Sequence, residues 1–140
     1  MFAGTGGSGV KDMPSSHSQV MSRKCVECHI YRAEAQDIKG DSEPKGGHTF
    51  RVDGGVCLKC HENPETLVKN WQEKTLPMIK QLKDLLDNTD NKYTRTYKDA
   101  RANYFIVTSD GGSGLHNPRY AQALLQYSIS SMLTETVWKK

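Results

Sequence analysis

Cys25-Val26-Glu27-Cys28-His29 and Cys57-Leu58-Lys59-Cys60-His61 together hold all four cysteines of this 140-residue chain. Cys-X-X-Cys-His is the pattern of covalent haem c attachment. The spacing has a chemical reason. Two thiols three residues apart lie on one side of a helical turn, where each forms a thioether with a vinyl group of one porphyrin. The imidazole of the next residue then lies under the iron as proximal ligand, so a single pentapeptide grips the macrocycle at three points. On this reading Cys25, Cys28, Cys57 and Cys60 carry two covalently bound haem c groups, and His29 and His61 are the proximal iron ligands.

Zinc competes for the same residues. A pair of Cys-X-X-Cys knuckles can form a four-thiolate site of the zinc-ribbon kind, which would make the chain a zinc-stabilised interaction module. A zinc knuckle has no use for histidine directly after its second cysteine, yet histidine stands there both times. A disulfide framework is the third possibility, and two adjacent short-range bridges would be an odd way to staple a domain of this size.

Composition agrees with the haem reading. Only 36% of residues are hydrophobic, 12 are glycine, and the mean hydropathy is −0.68, which is lean for a core built from side chains alone. Two porphyrins, each a large apolar plate, would supply interior. Nineteen Lys and Arg against 16 Asp and Glu leave a net charge of +3, which haem propionates would offset. Basic residues are scattered and do not alternate with aromatics, so no nucleic-acid surface is expected. No run of 18 apolar residues is present, so no transmembrane segment is expected. The opening Met1-Phe2-Ala3-Gly4-Thr5-Gly6-Gly7-Ser8-Gly9 lacks the basic and apolar regions of a secretory signal. Haem c is attached outside the cytoplasmic membrane, so the expected location is periplasmic or extracellular, with the export signal removed or upstream. The Gly-rich opening itself reads as an inter-module linker.

The rest of the chain reads as all-α. Residues 1–16 are expected as loop, and a helix from Ser16 or His17 to about Ile30, capped by Ser15 or Ser16, would carry the first motif. Gly- and Pro-rich residues 31–55 connect it to a helical turn at Cys57 to His61. Asn63-Pro64-Glu65 is a strong helix start, followed by apolar residues at Leu67, Val68, Trp71, Met78, Ile79, Leu82, Leu85 and Leu86 on one helical face. Pro77 is expected to kink or divide this helix. Tyr93, Tyr97, Ala100, Tyr104 and Val107 mark a helix over 92–107. A last helix starts at Asn117-Pro118 and carries Tyr120, Leu124, Leu125, Ile129, Met132 and Leu133. A dihaem-binding segment over 1–62 and a helical segment over 63–140 would form one domain, a loop-rich haem-bearing half followed by long helices.

Five histidines are present. With His29 and His61 as proximal ligands, His17, His48 and His116 are the candidate distal ligands. Each lies in a Gly, Ser or Pro setting from which it can approach an iron without breaking a helix. Met13 and Met21 are alternatives, and a methionine ligand would raise that haem's potential.

His17 to His29, Gly47-His48-Thr49-Phe50, Cys57 to His61 and Gly114-Leu115-His116-Asn117-Pro118 leading a Leu-rich helix together resemble the last two haem sites and C-terminal helices of the pentahaem cytochrome c nitrite reductase superfamily, which includes the octahaem hydroxylamine oxidoreductases. The resemblance covers nearly the whole chain. It implies a mostly helical multihaem cytochrome c fold, closely packed bis-His haems, and long helices used in homo-oligomers or haem arrays. By position, it implies that His116 serves the His29 haem and His17 the His61 haem, with His48 serving a haem upstream. Family reductases also need a catalytic haem with an open site, a part that would lie before residue 1, and no Cys-X-X-Cys-Lys motif is present. Three distal candidates for two irons leave no open coordination site for nitrite. The expected function is therefore electron transfer between redox partner proteins or other multihaem cytochromes. A nitrite or hydroxylamine reductase with one open haem is the enzymatic alternative.

Overall fold

The computed structural model describes residues 1–31, 50–52 and 54–137, with residues 136 and 137 described in backbone only. His48 lies outside the described residues. The chain is all-α: helices α1 (Ser16–Val20), α2 (Cys25–His29), α3 (Pro64–Asp87), α4 (Arg95–Thr108) and α5 (Pro118–Val137) are joined by loops and a 3-10 turn over Gly54–Lys59, with no strand among the described residues. It forms two compact units. One comprises Met1–Gln19 and Asn70–Lys140, the other Val20–Lys69.

Helix starts follow the local chemistry. Asn63 Oδ1 accepts from the Thr66 N–H at 3.1 Å, Thr94 Oγ1 from Tyr97 at 3.1 Å and Asn117 Oδ1 from Tyr120 at 3.3 Å, each satisfying a donor that the first helical turn leaves unpaired. Ser15 Oγ does the same for His17 at 3.2 Å. The helix expected from residue 16 to 30 is broken, however. Lys24 has φ 49°, a left-handed conformation that stops a right-handed helix, so α1 and α2 are separate short pieces. Pro77 does not divide α3, which runs unbroken through it.

In the first unit α4 packs along α5, and Leu82 and Leu86 of α3 join Ala100, Val107, Tyr120, Ala121, Leu124, Leu125, Ile129 and Met132 in the core. Burying a leucine fully is worth about 1.5–3 kcal/mol, so Leu82, Leu124 and Leu125, none of them exposed at all, anchor this unit. Some residues expected on apolar faces lie outside it: Tyr93 precedes α4 and is exposed, Leu67 and Leu133 are exposed, and Val68 and Trp71 are half-buried away from this core. Buried Asn103 and Ser128 take positions on the inner faces instead.

Those polar residues explain the N-terminal segment, which is no free linker. Asn103 accepts from the Ser8 N–H (2.8 Å) and donates to the Ser8 carbonyl (3.0 Å) and to Ser128 Oγ (3.0 Å). The Tyr120 hydroxyl accepts from Gly7 N–H at 2.7 Å, and Asn117 Nδ2 donates to the Met13 carbonyl at 2.6 Å. Gly7 is required by proximity. A Cβ there would meet Leu124 Cδ2 at 2.2 Å and the Tyr120 hydroxyl at 2.6 Å. No helix among the described residues is long and apolar enough to cross a membrane.

Candidate functional site

Each pentapeptide is wound into a helical turn, the first α-helical and the second beginning in the 3-10 turn that ends at Lys59. Cys25–His29 is α2, one helical turn, closed by the Ile30 N–H on the Val26 carbonyl at 3.1 Å. In the second copy the Cys57 carbonyl accepts from Cys60 N–H at 3.1 Å and His61 N–H at 2.8 Å. Each motif thus presents its two thiols a turn apart with the histidine next in line. None of the four cysteines forms a disulfide with another. Within the Val20–Lys69 unit α2 lies against the 3-10 turn, and Lys59 Nζ stands 4.6 Å over the Tyr31 ring.

The His29 ring is held through one of its nitrogens. Its Nδ1 lies 2.9 Å from the Phe50 carbonyl, and a carbonyl can only accept, so Nδ1 carries the proton and the lone pair sits on Nε2. Holding a ligating imidazole through its other nitrogen is the standard second interaction of metal-bound histidine. The Cys28 thiol contacts Met21 Sδ at 3.7 Å. Its pKa is pushed up, first by burial and then by the neighbouring Cys57, Glu27 and Cys25.

Around the motifs the apolar side chains face outward. Phe50 is 64% and Leu58 61% exposed, and Val20, Val26, Ile30, Val52 and Leu67 are exposed too. Val56 is the one buried apolar side chain among this unit's described residues. Thiols spaced along one turn, an oriented proximal imidazole and open apolar surface all fit haem c. Among the described residues no three His, Cys, Asp or Glu side chains gather as a metal cluster.

The distal candidates belong to the other unit where they are described. His17 is on α1, half-buried. His116 sits in the loop between α4 and α5, its Nδ1 2.8 Å from Asp110 Oδ1. That hydrogen bond, aided by the charge of Asp110, raises the His116 pKa against the opposing pull of burial. Asp110 escapes sequence reasoning, although an acid six residues before a candidate ligand in a Gly-rich loop was a signal to follow. Met13 packs beside the helical core. No known protein family, curated protein or solved structure matches this chain.

Proposed function

We propose that the chain is a dihaem c-type cytochrome, or the dihaem module of a larger multihaem cytochrome, that passes single electrons between redox partner proteins outside the cytoplasm. The observation that carries this reading is the repeated turn, in which Cys25, Cys28 and His29, and again Cys57, Cys60 and His61, follow one another with every cysteine of the chain used. Haem c, when bound, supplies a one-electron iron couple. The chain's residues do the rest: four thiols hold, His29 and His61 ligate from the proximal side, and the Phe50 carbonyl keeps the His29 ring turned. His17, His48 and His116 are the candidates for the distal side.

Bis-His coordination leaves little geometric change on oxidation, which suits transfer without substrate chemistry. Encounters of such carriers are small and transient. The multihaem fold suggested by the resemblance, and assembly into oligomers or haem arrays, belong to the same proposal.

The test is the intact mass of chain produced with a haem-attachment system, set against the 15.7 kDa polypeptide, with spectra in both oxidation states. Two covalent porphyrins, low-spin in both states and inert to carbon monoxide, are expected. Strong carbon monoxide uptake would replace the carrier by the reductase-type enzyme. A colourless protein with zinc on its sulfurs would end the haem reading.

A further inference from the structure

Helix α4 brings to one face cations that are scattered in the sequence. Arg95, Lys98, Ala102, Phe105 and the C-cap Ser109 follow one another at alternating intervals of three and four residues, which lines them up in a single row along a helix. Arg101 stands beside that row, three residues from Lys98 and four from Phe105. All six are exposed, and the opposite face carries the buried Ala100, Asn103 and Val107. Asp99, the one acid of α4, lies at the edge of the row, where its carboxylate accepts from Arg95 Nε at 2.7 Å and its side chain is 20% exposed. The outward row of the helix therefore presents three cations and no anion of its own.

Phe105 sits among these cations. A single exposed apolar side chain is ordinary on a protein surface, but this ring, 49% exposed, is held from two sides. The Arg101 guanidinium lies 5.1 Å from its centroid, and the Tyr104 ring meets it edge-on at 6.1 Å and 73°. A face kept only for solvation needs no aromatic ring fixed between charges, whereas arginine and phenylalanine are both enriched where proteins meet. A planar guanidinium also pairs with a carboxylate through two parallel hydrogen bonds. We infer that the outward face of α4 is a docking surface for an acidic protein: Lys98 and Arg101 face carboxylates of the partner, and Phe105 enters an apolar dimple between them. The inference goes beyond the dihaem reading and does not depend on it. One phenylalanine is too little apolar surface to seat a helix in a lipid interface, and α4 carries no second exposed ring to continue a base stack, so a protein is favoured over lipid or nucleic acid.

The experiment measures, by fluorescence anisotropy, the binding of a short glutamate-rich peptide containing leucine to the full chain. The salt is about 0.1 M, where exposed charges more than about 10 Å apart are screened from one another. The same peptide with glutamine for glutamate is the uncharged counterpart and should not bind. Lys98→Glu together with Arg101→Glu should weaken the acidic peptide about tenfold, and Phe105→Ala about fivefold. Lys11→Glu together with Lys74→Glu makes the same change of charge at exposed positions off α4 and should cost less than about twofold. Carbodiimide coupling of the bound peptide should join its carboxylates to Lys98 ahead of Lys11 and Lys74. An equal loss in the two double variants, an uncharged peptide that binds as well, or coupling spread evenly over the lysines overturns the inference. So does an acidic peptide that fails to bind, and phosphatidylglycerol vesicles or single-stranded DNA bound in its place through α4 would give the face to that other partner. Should the Lys98 and Arg101 double variant fail to fold, Lys98→Gln and Phe105→Ala decide against Lys74→Gln by the same affinities.

Discussion

Asn103 and Ser8 exchange hydrogen bonds across 95 residues of sequence, with the Asn103 side chain accepting from the Ser8 N–H and donating to its carbonyl. This pairing makes the Gly-rich opening part of the helical unit. Asn103→Ala should destabilise the chain by about 1–3 kcal/mol, since it removes the partner of the half-buried Ser8 N–H and carbonyl. Denaturant unfolding measures it, and a loss below about 0.5 kcal/mol would show that the segment is not held as described.

Gly7→Ala tests the same contact by crowding. The added methyl would enter the space of Leu124 and the Tyr120 hydroxyl, and overpacking of this kind costs about 1–3 kcal/mol. Gly54→Ala is the control, because its Cβ meets nothing within 4 Å, and it should stay within about 0.5 kcal/mol of wild type.

Thr75 is fully buried on α3, and its hydroxyl has no partner among the described residues. Replacing such a group by an isosteric apolar one is neutral or stabilising, so Thr75→Val should raise the unfolding midpoint by the equivalent of up to about 1 kcal/mol. A drop in stability would mean that the hydroxyl is bonded.

Cys28 and Cys25 belong to one motif but differ as nucleophiles. Burial raises the Cys28 thiol pKa, with Cys57 adding to the shift, whereas Cys25 is exposed. Because the thiolate is the reactive form, the polypeptide with unmodified thiols should be alkylated several-fold more slowly at Cys28 than at Cys25 near pH 8. Peptide mapping after timed labelling would refute this if Cys28 reacted first.

His116, with its pKa raised by Asp110 above the ordinary 6.5, makes a prediction with a definite sign. A raised pKa in the folded state stabilises below the unfolded value, and that contribution is lost as pH rises through the folded value. The polypeptide should therefore lose stability from about pH 6.5 upward across the raised pKa, and Asp110→Asn should flatten that slope. Urea midpoints across this range decide, and an identical slope in the variant would remove Asp110 as the cause.

The helices were legible because their signals are local. Asn63 and Asn117 cap the turns that follow them, and Leu82, Leu124 and Leu125 recur with the helical period, so the all-α class needs only neighbours a few residues apart. The break at Lys24 was not legible, since lysine carries no mark of a left-handed conformation. Nor was the continuity of α3 through Pro77, because packing offsets the hydrogen bond that proline removes.

The chemistry at each Cys-X-X-Cys-His was determined by sequence alone, because three reactive groups on one turn need no distant residue to align them. Tertiary structure alone decided the longer-range partners: the Phe50 carbonyl behind His29, Asp110 beside His116, and a glycine-rich segment bound to Asn103 and Tyr120. Each of these depends on groups that hydrogen bonds and burial bring together from separate stretches of chain, and no spacing within a motif encodes such a meeting.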